Sequence, residues 1–139
     1  MSYQEKGLWV YLVTTTAGTV VYLLLVLERA DPLPLAEVDF AALMLWMIGI
    51  AIGASIIGRI LIEIARPSDG QQSDVRDRDI GRFGEYVGGT ILSVGMVIPL
   101  VLAIIEADHF WIAHAIYVIF AVAAIVGTAI KLVAYRRGF

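Results

Sequence analysis

Four stretches of this chain contain no aspartate, glutamate, lysine or arginine: Gly7 to Leu27, Phe40 to Gly58, Tyr86 to Ile105 and Phe110 to Ile130. Each is about 20 residues long, the length an α-helix needs to cross a hydrocarbon layer of roughly 30 Å at 1.5 Å per residue. Hydrocarbon supplies no water to the backbone, so a segment placed there must satisfy its own N–H and C=O groups, and a helix does so. The chain is 60% hydrophobic, beyond the roughly 45–50% of a soluble domain, and the excess must face lipid. The reading is all-α: a four-transmembrane-helix bundle forming a single integral membrane domain over residues 1–139. Its helices are expected at approximately 7–28, 39–65, 80–106 and 109–135, with a polar linker over 66–79. The first run follows Lys6, as a secretory signal's would, but it is longer than a signal's apolar core and leads into LERAD without small-residue cleavage chemistry, so it is expected to be retained.

The basic residues orient these spans. Lys6, Arg59, Arg66, Arg76, Arg78, Arg82, Lys131, Arg136 and Arg137 fall on one side of the alternating topology and Arg29 alone on the other. The positive-inside rule then makes both termini and the 66–79 linker cytoplasmic. The two outer connections hold Glu28, Asp31, Glu37, Asp39, Glu106 and Asp108 against Arg29; such an acidic rim concentrates cations, but sorting of positive charge inward leaves the same rim behind. The chain divides into two helical hairpins, turning through LERADPLPL and IEADHF.

Glycine is the most frequent clue to packing. Gly81, Gly84, Gly88 and Gly95 lie at i, i+3, i+7 and i+14, on one face of the third helix. A phosphate-binding reading requires a preceding strand or a lysine followed by serine or threonine, and neither is present. In lipid, small residues allow close backbone approach and so drive helix association. These glycines, with Gly49 and Gly53 on the second helix, are therefore expected to be helix-packing residues, as are Ala121, Ala124 and Thr128 on the fourth helix. Pro99 is expected to bend the third helix.

Candidates for chemistry are few. Tyr11, Thr15, Thr19 and Tyr22 form a hydroxyl stripe on the first helix, which serves packing or, with His114, a wetted pathway. Glu106, Asp108 and His109 offer ligands for an outer cation, although Asp108 equally suits the N-cap of the last helix and the spacing matches no metal motif. Arg59 and Glu63, and Asp74 and Arg78, can pair at i, i+4. No acidic or basic side chain lies at any span centre, which argues against a proton pump or voltage sensor. The chain has no cysteine, which removes disulfides, thiol catalysis and thiolate metal sites. No nucleophile, base and orienting group recur together, and the mixed-sign linker does not suit nucleic acid. No enzyme activity, cofactor or resident metal is expected.

The stretches YQEKGLWVYLV, DVRDRDIGRFGEYVG, EADHFWIAHAIYVIF and KLVAYRRG resemble an uncharacterised family of small bacterial four-helix integral membrane proteins. The resemblance implies a multi-pass protein of the bacterial cytoplasmic (inner) membrane and carries no catalytic residue. Members are similar to proteins encoded near small helix-turn-helix regulators, which implies a cytosolic regulatory protein as partner. The expected function is that of a non-enzymatic, self-associating structural or regulatory membrane component, a homo-oligomer in the lipid bilayer. The alternative is a small oligomeric ion channel or transporter.

Overall fold

The computed structural model describes residues 3–65 and 75–137. These form α1 (Tyr3–Arg29), a 3-10 turn (Leu35–Glu37), α2 (Ala41–Ala65), α3 (Val75–Gly95), α4 (Val97–Ile104) and α5 (His109–Arg137), with no strand among the described residues. Four stretches are long and apolar enough to cross a membrane: Gly7–Arg29, Ala41–Gly58, Val75–Ile104 and His109–Arg137. Most of the linker expected at 66–79, the partner Asp74 and the side chains of Arg59 and Glu63 lie outside the described residues and side chains.

The third span differs from the single helix expected at 80–106. It begins earlier, at Val75, because Asp77 in the first turn suits the positive end of a helix dipole and Ile80 is almost completely buried. It is also broken at Met96. Pro99 has no N–H to offer the carbonyl of Gly95, and its ring crowds that carbonyl, so the ladder fails one turn before the proline. The interruption is one residue long: Met96 N–H donates to Leu92 O at 2.9 Å, and its own carbonyl accepts from Leu100 N–H at 3.3 Å. Pro99 itself is buried.

The turn from α4 to α5 is closed by backbone chemistry. Glu106 N–H donates to Ala103 O at 3.2 Å and Ala107 N–H to Leu102 O at 2.9 Å, while Glu106 takes φ 56°. This is a Schellman ending, in which the left-handed position is usually glycine. A side chain there costs about 1 kcal/mol. Glu106→Gly is therefore expected to stabilise the protein by about that amount in detergent unfolding; a loss of stability would mean that the Glu106 side chain makes a contact worth more than the strain.

Helix α5 is the axis of the molecule: α1, α3, α4 and the 3-10 turn all pack on it. Its buried side includes Ala121, Ala123, Gly127, Thr128 and Ala134, small residues that let neighbours approach closely. The contacts bring the beginnings of α1 and α3 to the end of α5, and the end of α1 to the beginning of α5. We refer to these as the charged end and the aromatic end. Helix α2 packs on α1, with Leu43, Met44 and Met47 against a cluster of Tyr22, Val26, Val38 and Phe110. Past Met47 its described apolar side chains are exposed, Ile56, Ile60 and Ile64 among them.

Candidate functional site

Two groupings stand out: a glycine seam between α3 and α5, and a buried tyrosine–histidine pair where α1 meets α5. In the seam, a Cβ added to Gly84 would lie 2.8 Å from the carbonyl oxygen of Gly127 and would also strike the Lys131 stem. A Cβ on Gly127 would lie 3.0 Å from Gly84 O, and one on Gly88 would lie 3.1 Å from Ala123 O. Backbone faces backbone here, so no side-chain rotation can make room. The arrangement pairs Gly84-x-x-x-Gly88 with Ala123-x-x-x-Gly127, the small-residue geometry that joins helices in lipid. Further along, Gly95 lets Ile119 lie against α3, where a Cβ would come within 2.7 Å of a methyl group. Lys131 runs its stem over Gly84 and places its ammonium 3.5 Å from Glu85.

At the aromatic end, Tyr22 is fully buried and His114 nearly so. The Tyr22 hydroxyl is 2.9 Å from His114 Nε2, and His114 Nδ1 is 2.7 Å from the carbonyl oxygen of Phe110 one turn earlier. A carbonyl only accepts, so Nδ1 carries the proton; in the neutral ring Nε2 then accepts, and the Tyr22 O–H donates to it. Both nitrogens are satisfied in the neutral tautomer. Aromatic rings enclose the pair: Phe110 stacks on His114 at 3.9 Å between centroids, Phe40 meets it edge-on at 4.9 Å, and Tyr117 lies 4.5 Å from Tyr22. A groove of about 330 Å³ borders the other side of His114, lined by Ile98, Leu102, Trp111, Val118 and Ile119 among others.

Cross-helix polar contacts tie the charged end. Arg136 lies 3.7 Å from the buried Glu5 carboxylate and over the Trp9 ring at 5.3 Å. Tyr135 donates its O–H to Asp77 at 2.9 Å, and Lys131 reaches Glu85. Glu5 and Asp77 stand in the first turns of their helices and Arg136 in the last turn of α5, so each charge also opposes the partial charge of its helix end. With these geometries established, comparison adds no precedent: no protein family, curated protein or solved structure matches the chain.

The residues singled out from sequence are thus distributed unevenly. Gly84, Gly88 and Gly95 meet α5, whereas a Cβ on Gly49, Gly53 or Gly81 would find nothing within 4 Å. Within the hydroxyl stripe, Tyr22 joins His114, but Thr19 donates to Thr15 O at 2.8 Å in its own helix. Tyr11 is exposed and Thr15 half-buried. Glu106, Asp108 and His109 are exposed in the α4–α5 turn, with the Asp108 carbonyl accepting from Trp111 N–H at 2.9 Å as the last helix begins. Among the described residues, no group of three or more His, Asp or Glu is placed to hold a metal ion. Phe40, Phe110 and Tyr117 around the histidine, and Ala123 and Gly127 opposite the glycines, were missed. The i, i+4 spacings of Phe110 with His114 and of Ala123 with Gly127 were the available signals.

Proposed function

We propose that this chain is a non-enzymatic integral membrane component that self-associates through α2 and serves a structural or regulatory role in the bacterial cytoplasmic membrane. The observation that carries this reading is the contrast between two similar glycine patterns. Gly84-x-x-x-Gly88 is used up inside the chain, while a Cβ on Gly49 or Gly53 meets no described residue within 4 Å, on a helix whose described apolar side chains past Met47 are exposed. In lipid a free small-residue face gains chiefly by meeting another helix closely, and a second copy of α2 supplies a matching one. Both termini and the 66–79 linker lie on the cytoplasmic side in this reading, supported by the nine-to-one division of basic residues, where a cytosolic regulatory protein would have access. The resemblance to small bacterial four-helix proteins is consistent with it.

Native mass measurement in lipid nanodiscs tests the proposal. The wild type is expected as a discrete oligomer, and Gly49→Leu with Gly53→Leu as a monomer that retains wild-type unfolding behaviour, since a Cβ at either position meets no described residue within 4 Å. An unchanged oligomer sinks the α2 contact. Ion flux from liposomes above that of empty vesicles, lost on Thr15→Val with Thr19→Val, would favour the channel or transporter alternative.

A further inference from the structure

The outward face of α3 lies where the apolar part of the span ends. Ile80 and Gly84 are buried, so the positions two residues before or after them, about 200° around the helix, point away from the bundle: Arg78, Arg82 and Tyr86. All three are exposed, Tyr86 by 73%. They form a stripe at i, i+4 and i+8. The charge-free run begins at Tyr86, so at 1.5 Å per residue Arg82 sits about 6 Å and Arg78 about 12 Å beyond it. The headgroup layer on each side of a bilayer is roughly 5–7 Å thick. Arg82 is therefore at headgroup depth and Arg78 reaches back to it along its apolar stem, while an exposed tyrosine at the edge of the hydrocarbon marks the level.

The two guanidinium groups have no ion-pair partner among the described residues, and Asp74, one turn before Arg78, lies outside them. The ion pairs of the charged end use Lys131 and Arg136. Two described carboxylates are exposed beside the guanidinium groups, Asp79 and Glu85; Glu85 lies 3.5 Å from Lys131, so among the described residues the stripe keeps a net single positive charge. A guanidinium fork matches two phosphate oxygens, which a lysine in the same place would meet only as a point charge.

We propose that this face of α3 is a binding surface for the phosphate headgroup of anionic glycerophospholipids, with Arg82 and Arg78 as the contacts and Tyr86 holding the helix at headgroup depth. The inference rests on the membrane-spanning reading and on the charged end facing an anionic leaflet. It does not depend on self-association, because the stripe lies on α3 and the free glycines on α2.

The test is lipid enrichment. The full chain is reconstituted in nanodiscs of equal parts phosphatidylglycerol and phosphatidylcholine, released into mild detergent, and its retained lipids are counted by native mass spectrometry alongside protomer number. Each basic residue near an anionic surface is worth about fivefold in binding, the equivalent of about 1 kcal/mol. Arg78→Gln with Arg82→Gln is therefore expected to lower the preference for phosphatidylglycerol about 25-fold, Asp79→Asn to raise it, and Arg137→Gln to change it much less. Equal enrichment in wild type and the double variant overturns the proposal. So does an equal loss for Arg137→Gln, which would reduce the effect to diffuse charge at that end. The protomer count from the same spectra separates this outcome from failure of the α2 contact.

Discussion

Gly127→Leu is expected to part α3 from α5 and unfold the protein in detergent. Small-to-large changes in packed interiors cost about 1–3 kcal/mol when neighbouring side chains can move aside. Here the neighbour is the Gly84 carbonyl, 3.0 Å from the first carbon of any side chain at position 127. The helices themselves must separate, with the loss of the Gly88–Ala123 contact and the Tyr135–Asp77 and Lys131–Glu85 links. A cost of about 3 kcal/mol or more is expected, a large part of the roughly 5–15 kcal/mol that keeps a protein folded. Reversible unfolding in mixed micelles measures it, with Gly81→Leu as the control of the same chemistry; a Cβ at 81 meets nothing within 4 Å, and that variant should stay within about 0.5 kcal/mol of wild type. If Gly127→Leu is as stable as Gly81→Leu, the seam does not hold the bundle together.

The contrast between those two glycines shows what sequence carries here. Spans are legible because hydrocarbon excludes charge, and each of the four charge-free runs falls within one of the four long apolar stretches but for at most one end residue. Periodicity places Gly84, Gly88 and Gly95 on one face, but it does not name the facing helix, so Gly127 and Ala123 went unnoticed. The same spacing on α2 leaves Gly49 and Gly53 without a facing helix among the described residues, because a motif records what a helix can do and not which face the topology covers. Pro99 was visible as a disturbance, and its effect falls four residues earlier, where the carbonyl it cannot satisfy belongs to Gly95. The site was half legible. Tyr22 and His114 belonged to one proposed set, but their companion Thr19 closes a local hydrogen bond onto the preceding turn, as hydroxyls within helices often do. What joins Tyr22 to His114 is a contact across 92 positions, and only packing decides it.

That contact gives the second large expected effect. Tyr22→Phe removes the donor and leaves Nε2 of a buried imidazole unpaired, a cost of about 1–3 kcal/mol. His114→Ala does more: it orphans the Tyr22 hydroxyl, at 0% exposure the most enclosed polar group described, and empties the space against which Phe110 and Phe40 stack. Large-to-small changes at buried rings cost about 3–5 kcal/mol. The pairwise part is isolated by a cycle with Tyr22→Phe, His114→Leu and the double variant, because two apolar replacements leave no orphaned group and the double variant should lose less than the sum. Hydrogen bonds between membrane helices couple by about 0.6 kcal/mol on average and about 1.7 at most. This one should lie near the upper figure, because Tyr22 is fully buried and His114 nearly so, and the Tyr22 hydroxyl has His114 as its hydrogen-bond partner. Additive losses in bicelle unfolding would mean that the rings hold α1 to α5 by shape alone, with the hydrogen bond contributing nothing of its own.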